Sequence, residues 1–159
     1  MIIGDMRRKR EQARQKVFSA IEAHGGTTLL ATGITGDDAR LARAAVEAGA
    51  KMLEPNHPAV ALARGYKGVT SMHAAEAVRH EISMEQMAEV VRGVRNVAGQ
   101  DVFITVGVPG GFAEVLPMPL TEDRVRLIAN AGADCLHVHK ADLLDLKDVV
   151  DLAHANGLL

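Results

Sequence analysis

Two histidines, His137 and His139, stand two residues apart where Ala131-Gly132-Ala133 passes into a short apolar run. Residues i and i+2 of a strand share one face. Leu136 and Val138 suit a helix-packed face, so the two imidazoles should point together to the other side. Imidazoles are costly to bury without partners, which makes this pair the best pointer to chemistry in the chain. By the same alternation, Glu54 and Asn56 face inward if Leu53 and Pro55 meet helices. Phe103, Thr105 and Gly107 face inward if Val102, Ile104 and Val106 pack outward. Glu54, His137 and His139 would then meet at the carboxyl ends of parallel strands, where α/β folds place their active sites. Such a set can hold a divalent metal ion that polarises a carbonyl or stabilises an enediolate. It can also act as a metal-free acid–base site, or the histidines can simply bond their neighbours in a structural role.

Lys140 follows directly. A lysine just past a strand end serves as a Schiff-base nucleophile when burial depresses its pKa, binds phosphate or carboxylate, or is solvated; alternation turns it away from the histidines. Asp142 on the same loop is a further acid or base. In Gly107-Val108-Pro109-Gly110-Gly111, glycines permit the close backbone approach that cradles an anion. Gly107, Gly110 and Gly111, with Asn56 and Thr105, are therefore candidate substrate contacts. The spacing is neither a P-loop nor a dinucleotide fingerprint, so no nucleotide cofactor is expected. His57 and His73 fall in loops able to close over a site, whereas His24, His80 and His154 lie near helix ends and suit capping or solvation.

The elements that must position these residues alternate. An amino-terminal amphipathic segment, residues 1–25, carries a helix over Met6–Ala23 and stops at Gly25-Gly26. Strands are expected at Thr27–Thr32, Lys51–Glu54, Val102–Val106 and Cys135–His139, with Pro55 and Pro58 breaking the second ladder. Helices are expected from Asp37-Asp38 to Ala48, in short pieces at Ala59–Arg64 and Met72–His80, from a Ser83–Gln86 capping box to Ala98, from a Thr121 cap to Ala131, and from an Asp145 cap to Asn156. Gly157-Leu158-Leu159 reads as the start of a fifth strand. Ala48-Gly49-Ala50-Lys51-Met52-Leu53-Glu54 echoes Ala131-Gly132-Ala133-Asp134-Cys135-Leu136-His137, with Arg43 and Arg126 in register.

Alternating strands and helices imply parallel strands joined by right-handed crossovers. The expected fold is α/β, a single domain over residues 1–159 with a parallel (β/α) sheet, half or a fragment of a TIM barrel with four recognisable strands. A full barrel takes about 250 residues. The alternative is an open doubly wound sheet. A half-barrel leaves edges and a concave face uncovered, so a homo-oligomer is expected.

Ala131-Gly132-Ala133-Asp134-Cys135-Leu136-His137-Val138 resembles the strand that carries the metal-binding His-x-Asp pair of ribulose-phosphate 3-epimerases, and more generally is similar to phosphate-binding (β/α)8 barrels. His137 matches the first member of that pair; His139 stands where the family has Asp, and Lys140-Ala141-Asp142 replaces its Met-Asp-Gly. The resemblance covers about ten residues, on the fourth strand instead of the second. It implies a barrel fold and a site at His137 and His139.

Composition sets the outer limits. At 48% apolar and 24% charged residues the chain is globular and not disordered. A net charge of −2 and few aromatics argue against nucleic acid; Arg7-Arg8-Lys9-Arg10 reads as a solvated helix turn. No apolar run approaches the ~20 residues of a membrane span, so no membrane partner is expected, and the single Cys135 fits a reducing, cytoplasmic compartment. These features together suggest a lyase, epimerase or isomerase acting on a small phosphorylated or carboxylated carbonyl compound, with Glu54, His137, His139 and Lys140 as catalytic candidates. The alternative is a non-catalytic α/β assembly or ligand-sensing module.

Overall fold

Helices and strands alternate in the computed structural model, which describes residues 2–26, 32–34, 38–108, 120–138 and 143–159. The order is α1 (Ile2–Ala23), β1 (Thr32–Ile34), α2 (Ala39–Glu47), β2 (Met52–Pro55), α3 (His57–Ala63), a 3₁₀ helix (Ala74–Glu81), α4 (Met84–Ala98), β3 (Phe103–Gly107), α5 (Glu122–Asn130), β4 (Cys135–His137) and α6 (Leu143–Ala155). The strands pair in parallel in the order β1-β2-β3-β4, with no reversal. Among the described residues no helix is long and apolar enough to cross a membrane.

Local chemistry sets most boundaries. Asp38 accepts the Arg40 N–H and starts α2, the Ser83–Gln86 capping box starts α4, and Thr121 accepts the Arg124 N–H to start α5. At the ends of α2 and α5 the same device recurs: Gly49 and Gly132 adopt left-handed φ of 100° and 105° and turn the chain into the following strand. Ala-Gly-Ala is therefore one helix-to-strand joint used twice.

Several expected boundaries move. The first strand is found at Thr32–Ile34, beyond the expected Thr27–Thr32, of which residues 27–31 lie outside the described set. Pro55 does not break β2 but ends it, in register with Ile34; a proline is tolerated at a strand end where its missing N–H costs no ladder bond. Pro58 sits in the first turn of α3, which begins at His57 and not Ala59 because the Asn56 side chain caps it. The piece before α4 is a 3₁₀ helix, and α6 begins at Leu143, which puts Asp145 inside the helix and not at its cap.

The core lies on one face of the sheet. Leu53, Ile104 and Val106 are fully buried against Met87, Val90, Val91 and Val94 of α4, and Leu136 and Val138 pack on the same cluster. Around it α2 packs on α4, α4 on α5 and α5 on α6.

The amino-terminal edge of the strands is tied by Asp134. Its Oδ1 accepts from Lys16 of α1 at 2.6 Å, and its Oδ2 accepts from Arg95 at 2.6 Å and from the Ile104 N–H at 2.9 Å. Arg95 also donates to the carbonyls of Gly132 (2.9 Å), Gly99 (2.6 Å) and Val102 (2.8 Å), so one guanidinium joins the end of α4, the start of β3 and the α5–β4 turn. The φ of Gly132 suits glycine, and a Cβ there would also lie 2.8 Å from the Arg95 side chain. Leu159 lies on the outer side of β4: its N–H donates to the Asp134 carbonyl at 2.9 Å and its carbonyl accepts from the Leu136 N–H at 3.0 Å. This is the bonding of a parallel neighbour, as expected for the start of a fifth strand.

Removing Arg95 leaves the Asp134 carboxylate buried without its best partner. Arg95→Met is expected to cost about 3–5 kcal/mol, and Lys16→Met, at the more open side, about 1 kcal/mol. Urea denaturation of both variants checks the order; equal costs would contradict the central role given to Arg95.

Stability also depends on pH through α6. Burial, then Arg10 and Arg14, hold the His154 imidazole below the usual histidine range, against a smaller pull from Asp151. The unfolded chain therefore binds this proton more readily than the fold does. The stability His154 contributes is present above its unfolded value of about 6.5 and is lost as pH falls through the lower folded value. His154→Gln should flatten the fall in urea midpoint between about pH 7.5 and about pH 5.5; an unchanged slope would assign that fall to other groups.

Candidate active site

On the face opposite the core, alternation places Glu54 and Asn56 of the β2 edge, Phe103, Thr105 and Gly107 of β3, and Cys135 and His137 of β4. The register lines them up in rows. Gly33 is opposite Glu54, Thr105 opposite Cys135, and Gly107 lies between Asn56 and His137. The expected division of the strands into helix-packed and inward residues is thus observed.

Glu54 and His137 meet across β3, with His137 Nδ1 3.1 Å from Glu54 Oε1. Strands two apart are separated by about 9.6 Å, so the side chains must reach over the strand between them. Gly107, in the row of His137, places nothing in the way. The His137 side chain is 41% exposed and that of Glu54 23%, so both reach the surface at this edge. A carboxylate bonded to one ring nitrogen fixes the orientation of the imidazole. Glu54 and His137 are also the residues that the internal echo places in equivalent positions, 83 apart in sequence.

Thr105 and Cys135 sit beneath this pair. Burial pushes the Cys135 thiol up, partly offset by a hydrogen bond with Thr105, while Asp134 and Glu54 push it further in the same direction. Cys135 is therefore a neutral thiol at neutral pH, unsuited to nucleophilic attack. It shares the face of His137 by the same two-residue spacing, a signal that its use as a mere strand residue overlooked. Asp134 and Arg95 were also missed as functional supports; the carboxylate just before the apolar β4 run was the available sign.

Asn56 is nearly buried, and its Oδ1 accepts the Ala59 N–H at 2.9 Å. Its carbonyl is committed to capping α3. A Cβ on Gly107 would lie 2.7 Å from the Asn56 Cβ, so glycine at 107 is required by this close approach. His139, Lys140, Asp142, Gly110 and Gly111 lie outside the described residues. His57 is buried at the start of α3 and does not close over the site, while His73 is exposed.

For a metal, Glu54 and His137 supply one oxygen and one nitrogen donor side by side. Among the described residues no group of three His, Cys, Asp or Glu side chains is placed to hold an ion, and the third expected ligand, His139, is outside them. A recess of about 740 Å³ opens at the opposite, amino-terminal edge, beside Lys16, Arg95 and Asp134. Its central charges already bind one another, so we assign it to the joint between α1 and the sheet and place the candidate site at the carboxyl edge.

No family model matches the chain, and no curated protein is significantly similar to it.

Gly107→Ala should destabilise by about 1–3 kcal/mol through overpacking against Asn56, and Asn56→Ala by about 0.5–2 kcal/mol through loss of the cap. The overpacking is against the Asn56 Cβ, which alanine retains, so the two costs should add in the double variant. A double variant in urea denaturation that is no less stable than Asn56→Ala alone would show that the contact does not matter.

Proposed function

We propose that this chain is an enzyme of the lyase, epimerase or isomerase class that moves a proton at the carbon beside a carbonyl. The observation that carries the reading is the Glu54–His137 pair, partly exposed at the carboxyl edge of a parallel sheet. Glu54 orients the His137 ring through Nδ1. The imidazole takes the proton as general base, and the carboxylate stabilises the imidazolium that results. Gly107 ends β3, Gly110 and Gly111 come after β3 in the sequence and Lys140 after β4, and these are the residues assigned to a phosphate or carboxylate on the substrate. A divalent ion held by Glu54, His137 and His139 would stabilise the same enolate. The unreversed strand order supports the half-barrel reading of the fold over the doubly wound alternative, since a doubly wound sheet reverses its order at a switch point.

The test is deuterium incorporation in D2O across a panel of small phosphorylated and carboxylated ketones and aldehydes, followed by NMR. A responsive compound should exchange, and His137→Ala and Glu54→Gln should slow that exchange by about 10²–10⁴-fold with little change in melting temperature. Exchange that survives both substitutions, or its absence across the panel, counts against the proposal. Metal analysis of the untagged protein and of His137→Ala separates the metal form from the acid–base form.

A further inference from the structure

The joint between α1 and α6 gathers positive charge that its own carboxylates do not answer. α1 crosses the carboxyl end of α6 so closely that a Cβ on Gly157 would lie 3.1 Å from Met6 Sδ and from Lys9 Cδ. Met6, Arg10 and Ala13 fall on one stripe of α1, and Ala13 is fully buried, so Arg10 enters the joint between them. Its Nε is buried and has no hydrogen-bond partner among the described residues. A buried donor left unfilled is costly, and a guanidinium does not discharge to escape that cost.

Arg14 stands one turn further along α1, and His154 meets the pair from the last turn of α6. Burial, then Arg10 and Arg14, hold the imidazole below the usual histidine range, while Asp151 pulls the other way with less effect. The Asp151 carboxylate is already engaged by Lys147 at 2.5 Å, and Glu11 meets Arg14 only across 3.6 Å at an exposed position. Two guanidiniums and an imidazole therefore crowd one joint. The carboxyl end of α6 opposes an anion, but its field fades within a turn and is weaker than guanidinium–oxyanion bonds.

We propose that Arg10, Arg14 and His154 form a binding site for a phosphate-type oxyanion, either inorganic phosphate or the phosphate of a small monoester. Guanidinium forks match phosphate oxygens, whose several acceptor positions can serve donors from two helices at once. Two arginines balance a dianion, a charge that a single carboxylate does not supply. The bound charge restores the His154 proton and makes the imidazole a third donor. Arg10 is half-buried between two helices, where a small free ion reaches it and a bilayer surface does not. The inference does not rest on the chemistry proposed for Glu54 and His137.

The test is an NMR titration of the His154 ring proton in the full chain, with the signal assigned through His154→Gln. Inorganic phosphate is compared with chloride at equal ionic strength, which removes simple screening. Phosphate should raise the His154 pKa by about one unit. In calorimetry Arg10→Gln should weaken phosphate binding about tenfold or more, and Arg10→Lys, which keeps the charge and loses the fork, by less. Arg14→Gln, at a more open position, should weaken it about threefold or more with an unchanged melting temperature. A His154 pKa that moves no further in phosphate than in chloride overturns the proposal. Phosphate binding that Arg10→Gln and Arg14→Gln leave intact overturns it too, as does binding to vesicles of anionic phospholipid without binding of free phosphate.

Discussion

The carboxylate of Asp134 is the point on which the rest of the molecule depends. It lies just before β4 and receives bonds from α1, from the end of α4 and from the backbone of β3. A buried carboxylate is costly unless its lone pairs are filled, and here two cations and an N–H fill them. Arg95 gives three of its other four donors to carbonyls at chain turns, so the desolvated charge is met by groups that also need partners. The result fixes the height of β4 against β3. Because successive side chains point to opposite faces, a slip of one residue would drive His137 into the helix layer and turn Leu136 toward the polar face. The basal ion cluster therefore determines what the distant edge presents.

At that edge the division of labour is by parity. Leu53, Ile104, Val106 and Leu136 hold the sheet to its helices, while Glu54, Thr105, Cys135 and His137 occupy the other face. Gly107 belongs to neither set. Its lack of a side chain admits Asn56 on one side and lets His137 reach toward Glu54 over the top. One small residue thus serves both the cap of α3 and the pairing of the candidate acid and base.

Much of this was legible in the chain. β2, β3 and β4 start within one residue of the apolar runs that announce them, and the caps at Asp38, Ser83 and Thr121 stand where short polar side chains precede apolar periodicity. The meeting of Glu54 and His137 followed from alternation on strands of one direction. What stayed hidden was non-local. Arg95 looks like any basic residue in the last turn of a helix, and only its contact with a residue 39 positions away shows its purpose. The extension of α6 back to Leu143 was also missed, since Asp145 reads locally as a cap but sits within a helix that starts earlier.

The span between Lys16 and Asp134 has a consequence for synthesis. The two residues are 118 positions apart, and α1 packs on α6 and β3. α1 leaves the ribosome before β3, β4 and α6, so its docking surface is incomplete until those elements have been made. Ala13 and Ala20, buried in the finished fold, lack that cover until then. Domains gain native structure as their contacts become available, and α1 gains its contacts only after the elements that follow it. Its dense run of charge from Arg7 to Arg14 keeps this waiting helix soluble while the remainder of its own docking surface is being built.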